Sequence, residues 1–212
     1  MYNLNPKELK ILKSLKTPKK IQDYINKLEI NFDYHKETCM SPRKVMQTGK
    51  CHCIEGAILA ALALRINRYK PLIIHLAASR KDFDHVIAVF QKNGKWGAIS
   101  KTNHGVLRYR EPIYYNLREL VMSYFHEYFN NKTRTKTLRS FSAPLDLSIF
   151  DKRNWATDEK SLWYIDRYLN KIKHYQILTK EQITDLRKAD KIEVQLGKIT
   201  EFKSNYQKKR KT

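Results

Sequence analysis

The run Ile58-Leu-Ala-Ala-Leu-Ala-Leu-Arg-Ile66 is apolar on nearly every face. A helix of that kind is predicted to be buried all round, so the rest of the chain must wrap it. Ala57, Ala60, Ala61 and Ala63 have little volume, which allows a sheet to approach the helix backbone closely. Gly49 and the polar run Lys50-Cys51-His52 mark the helix start and put Cys53 in its first turn. A sulfur there lies near unpaired backbone N–H groups and the positive end of the macrodipole, and both favour thiolate over thiol. Cys53 is therefore the candidate nucleophile.

About thirty residues on, Asp84-His-Val-Ile-Ala-Val-Phe90 is a β-branched, alternating segment. It leads through Lys92-Asn-Gly-Lys95 into Trp96-Gly-Ala-Ile-Ser100. Asn-Gly between two such runs predicts a two-residue hairpin turn. Lys92 then pairs with Lys95, and the register carries Ile87 opposite Ser100 and His85 opposite Thr102. His85 and Ser100 become diagonal neighbours on one face, close enough for their side chains to meet. A histidine with a polar partner, offered to a helix-start cysteine, is the layout of a nucleophile, its base and an orienting group.

Cys53-x-Glu55-x-Ala57 opening an Ala-rich helix, a strand beginning Asp84-His85-Val86, and Asn93-Gly94-x-Trp96-Gly97 together resemble the transglutaminase-like superfamily of papain-related folds, across roughly residues 45–105. The segments Trp96–His104 and Arg118–Tyr128 look like a bacterial branch of it. The resemblance implies that Cys53 is the nucleophile, Glu55 fills the acidic position and His85 is the base. The third position falls on Ser100, where the superfamily usually has Asp. Gln47 lies six residues before Cys53, a spacing at which papain-like enzymes place an oxyanion-hole glutamine. Asn103 and His104 are rival orienters if the hairpin register differs.

The chain of 212 residues is read as one domain. N-terminal helices occupy 1–40, the catalytic core 41–130, a helical and strand extension 131–207 and a basic tail 208–212. No apolar N-terminal run suggests a signal peptide, and the longest apolar stretch, 56–64, is too short to span a bilayer. Three cysteines argue for a reducing compartment, with cytoplasm the expectation. Lys and Arg number 42 against 21 Asp and Glu, a net charge of +21. The charge is spread along the chain with no zinc-finger spacing or interleaved stacking aromatics, so nucleic acid is expected to bind only non-specifically.

Asn5-Pro6-Lys7-Glu8 and Thr17-Pro18 open two amphipathic helices, 5–16 and 17–28. Ser41-Pro42 caps a short helix that Gly49 stops. Residues 71–77 read as a buried strand with His75 a hydrogen-bonded core histidine, and 106–110 as a further strand. Asn116-Leu-Arg-Glu119 opens a helix to about Phe129 with an aromatic core face. Residues 138–150 are semi-extended; helices are expected over 157–174 and 179–189, and an edge strand over 191–196 from its alternation. Cys39, Cys51 and Cys53 with His35 and His52 also suggest a zinc site, but the paired Cys-x₂₋₄-Cys spacing is missing. No metal or cofactor is expected.

These features predict an α+β fold: a transglutaminase/papain-like core in which the Cys-bearing central helix packs on an antiparallel sheet, flanked by N- and C-terminal helices. The expected chemistry is that of a peptidase, deamidase or acyl transferase acting on an amide of a protein or peptide. The alternative is a catalytically silent scaffold whose basic surface binds an anionic partner.

Overall fold

The computed structural model describes residues 2–32 and 37–203; His35 and the basic tail fall outside them. The chain opens with α1 (Pro6–Ser14), α2 (Pro18–Lys27), β1 (Glu29–Ile30), α3 (Pro42–Thr48), β2 (Lys50–Cys51) and α4 (Cys53–Ile66). Next come β3 (Leu72–Ala78), β4 (His85–Lys92), β5 (Lys95–Ile99), β6 (Arg110–Tyr114) and α5 (Leu117–Phe125). The last part holds β7 (Leu138–Ser142), β8 (Leu145–Asp146), a 3₁₀ helix (Leu147–Arg153), α6 (Trp163–Lys171), β9 (His174–Gln176), α7 (Lys180–Asp185) and α8 (Lys191–Lys198). The fold is of mixed α+β class.

Helix α4 is the centre. Its residues from Ile54 to Leu64 are all buried. They pack with Leu12 of α1, Ile21 and Ile25 of α2, Val45 of α3 and Ile165 of α6 in one apolar core. Among the described residues seven strands form one antiparallel sheet in the order β6-β5-β4-β3-β7-β9, with β8 also paired to β3. Val86, Ala88 and Phe90 of β4 join the α4 core, whereas Ile87 and Val89 join a second core with Leu120, Val121 and Tyr124 of α5. That alternation is what a strand buried on both faces requires. Close helix–sheet approach is centred on Gly56: a Cβ there would meet the Lys101 Cβ at 2.7 Å.

The hairpin has the expected register, Lys92 opposite Lys95 through to Ala88 opposite Ile99. Asn93 and Gly94 take φ of 52° and 71°, the left-handed pair that an Asn-Gly turn supplies.

Several elements differ from the sequence expectation. Residues 106–109 are not a strand. Leu107 has φ 59° and gives its N–H to the Glu127 carboxylate, so pairing with β5 begins only at Arg110. The helix expected over 157–174 is confined to α6. Residues 174–176 leave it to pair with β7, whose edge would otherwise be open. Residues 191–196 are helical rather than an edge strand. Asp190 and Glu193 form a capping box, Val194 is buried, and Ile192 and Leu196 are exposed, so the alternation was that of side chains left in water. Helix α7 keeps its Thr179–Gln182 capping box but stops at Asp185.

Candidate active site

Cys53 is the first residue of α4, and its side chain is partly exposed. The sulfur is within hydrogen-bonding reach of two imidazoles, His52 and His85. Burial opposes ionisation, but the two rings outweigh it and bring the Cys53 thiol down to about 5. His52 moves the other way. Burial disfavours its charge, yet the Cys53 sulfur and the Glu55 carboxylate raise it to about 9. Over that interval the pair exists as thiolate and imidazolium. Cys39 and Cys51 are buried thiols that desolvation pushes up, Cys51 to about 12.

His85, the first residue of β4, meets α4 at the end of the sheet. Its Nε2 lies 2.8 Å from Ser100 Oγ. The Ser100 hydroxyl donates its only proton to the Leu107 carbonyl at 2.6 Å. Ser100 Oγ therefore accepts from His85 Nε2–H, which leaves Nδ1 as the basic nitrogen in the neutral ring. Ser100 is itself held by α2. Gln22 Nε2 donates to the Ser100 carbonyl and Gln22 Oε1 accepts the Ser100 N–H, each at 2.9 Å. Next to it, buried Lys101 donates from Nζ to the Ile25 and Leu28 carbonyls at the end of α2. The last turn of a helix is where a cation is favoured.

Glu55 is fully buried. Its carboxylate accepts from the Thr38 hydroxyl (2.6 Å), the Met40 N–H (2.8 Å) and the His52 N–H (3.1 Å). It thereby pins residues 38–40 across the start of α4. His52 Nε2 donates to the Thr38 carbonyl at 2.7 Å and is 3.5 Å from Glu55 Oε1. Opposite this wall, His75 Nδ1 and His174 Nε2 are 3.0 Å apart, His75 Nε2 lies 3.1 Å from Asp84, and His174 Nδ1 lies 2.8 Å from the Ile172 carbonyl.

His85 and Ser100 thus meet, as the hairpin register predicts. Asn103 does not join them; its amide exchanges two hydrogen bonds with the Phe202 backbone, at 2.8 and 2.9 Å. His104 bonds the Gly197 carbonyl instead. Gln47 is exposed on α3, and the residues lining the cavity beside Cys53 do not include it. The first-turn N–H groups of α4, which have no intrahelical acceptor, are the donors nearest the sulfur in sequence. Sequence reasoning considered His52 only as a zinc ligand, although its position beside Cys53 was a signal for more. It missed Gln22 entirely, and nothing in the sequence around it marks that role. Among the described residues no group of three or more His, Cys, Asp or Glu side chains is placed to hold a metal.

No protein-family model matches the chain, and no curated protein matches it. Among the described residues no helix is long and apolar enough to cross a membrane.

Proposed function

We propose that the chain is a transglutaminase-like thiol enzyme that cleaves or transfers the acyl group of an amide in a protein or peptide. The observation that carries this reading is a helix-start thiol held at about 5 between two imidazoles, one of them with its tautomer set by Ser100. The Cys53 thiolate attacks the amide carbonyl carbon and forms a C–S bond. The charge that develops on the oxygen is met by N–H groups at the start of α4. His85, having taken the Cys53 proton on Nδ1, gives that proton to the departing amine as the C–N bond breaks, which leaves a thioester. Water or an amine then attacks the thioester while His85 takes back a proton, and Cys53 leaves as thiolate. Hydrolysis and deamidation differ only in the amine that leaves, and acyl transfer differs from both only in the last step, where an amine takes the place of water.

His52 supplies what Ser100 cannot. A serine sets a tautomer but brings no negative charge to hold an imidazolium. Here the positive charge beside the thiolate is also carried by His52, with buried Glu55 3.5 Å away. Three free cysteines suit a reducing compartment, with the cytoplasm the simplest one.

Iodoacetamide labelling followed by peptide mapping at about pH 6.5 tests the reading, because only a thiolate reacts quickly. Cys53 is expected to label at least about a hundredfold faster than Cys39 or Cys51. Equal rates for the three would sink it.

A further inference from the structure

Two cavities meet at the reactive pair. One, of about 320 Å³, is lined by Cys53, His52, His75 and Asp166. The other, of about 450 Å³, is lined by His85, Thr102, Glu127 and Asn131. Phe83 and Asp84 line both and so form the saddle between them. A small amide fills one such space. A chain that crosses the saddle occupies both, with its scissile carbonyl between Cys53 and His85.

Three features of the walls describe what would lie there. Phe83 is 90% exposed, more than any other large apolar side chain among the described residues. An aromatic ring left in water beside a cleft is surface available for a partner to cover. The charge is inverted relative to the rest of the protein. Basic residues outnumber acidic ones 42 to 21 in the chain, yet the walls hold Glu37, Asp82, Asp84, Asp166 and Glu127 against Lys132 and the His52 imidazolium. Asp166 makes no ion pair among the described residues; its carboxyl accepts from the Asn170 side chain, and burial holds it above its ordinary range. Glu127 and Asp82, by contrast, are already bonded to Arg110 and Thr137. Asp166 is thus the carboxylate on the Cys53 side that has room for a cationic partner.

We propose that the two cavities form one substrate groove for a basic polypeptide segment, with Phe83 packed against the chain where it crosses the saddle. Asp166 receives a lysine or arginine side chain on the Cys53 side. This assignment rests on the thiol-acyl reading above and adds the substrate class to it.

The test measures binding without turnover. Two fluorescent peptides of equal length, one lysine-rich and one glutamate-rich, each flanking the same central glutamine, are titrated against the Cys53→Ala protein. The lysine-rich peptide is expected to bind at least about tenfold more tightly, although the protein as a whole is strongly positive. Phe83→Ala should weaken that binding about three- to tenfold, and Asp166→Asn should shrink the preference between peptides. Equal affinity, or a preference for the glutamate-rich peptide, overturns the proposal, as does binding that ignores both substitutions. The two readings fail separately. Selective Cys53 labelling without a lysine preference removes the substrate class alone. A lysine preference without selective labelling leaves the groove and removes the acyl chemistry.

Discussion

The hydrogen bond between His85 and Ser100 runs in one direction. Ser100 Oγ is 2.8 Å from Nε2 and gives its own proton to Leu107 O, so it can only accept from the ring. The tautomer of the base is therefore set by a carbonyl two bonds removed from it, at the left-handed Leu107.

That direction makes Ser100→Asp a poor repair. A carboxylate at this position would face the Leu107 carbonyl, acceptor against acceptor. Ser100→Asp is expected to destabilise the fold by about 1–3 kcal/mol in urea denaturation. Ser100→Ala should cost about 1–3 kcal/mol for each group left unpaired and slow Cys53 labelling, because neither Nε2–H nor the Leu107 carbonyl keeps its partner. Asn103→Ala should leave labelling unchanged. A labelling loss in Asn103→Ala, with none in Ser100→Ala, would reassign the orienter.

The pH profile follows from two opposed displacements. Cys53 is held down at about 5, so the thiolate contributes stability fully above its ordinary value of 9 and loses it as pH falls through about 5. His52 is held up at about 9, so its contribution is complete below 6.5 and is lost as pH rises through about 9. The two titrate as a pair. Alkylation of Cys53 should rise with a midpoint near 5, and turnover should fall near 9. His52→Ala should move the alkylation midpoint upward while His85 is still present. A parent midpoint near that of an ordinary thiol would refute the pairing.

Gln22 is a positioning residue for Ser100. Gln22→Ala leaves a buried N–H and a buried carbonyl without partners, which costs about 1–3 kcal/mol for each group left unpaired. Urea denaturation should show that loss. Labelling of Cys53, measured in the still-folded protein, should slow as well. Unchanged stability would mean that water replaces the amide.

Gly56→Ala should destabilise by about 1–3 kcal/mol through overpacking, because the new Cβ would sit 2.7 Å from the Lys101 Cβ. Ala61→Gly, in the same helix, should cost only about 1 kcal/mol from helix propensity. Equal losses for the two, measured by thermal unfolding, would mean that the sheet can retreat from α4.

What could be read in advance was local. The buried helix, its capped neighbours and the Asn-Gly hairpin each follow from residues close in sequence, and the register alone placed His85 beside Ser100. Long-range pairing was not legible. Residues 174–176 are strand only because the edge of β7 is open to them, and 191–196 alternate like a strand although a capping box makes them helical. In the site, Cys53 and His85 carry strong local signals. Gln22 carries none, because its partner is the backbone of a residue 78 positions away. A serine where the resemblance implies Asp was visible, but a second imidazole acting on the sulfur was hidden in plain sequence as the neighbour of Cys53.

The clamp that α2 places on Ser100 also orders events in time. During synthesis α2 and the start of α4 leave the ribosome first, with Cys53 beside His52 but without its base. His85 and then Ser100 follow, and the His85 tautomer is fixed only once Ser100 has Leu107 to donate to and Gln22 to hold its backbone. The contact that orients the histidine in the finished protein is therefore assembled from three separate stretches of chain, and the last of them is made well after the thiol.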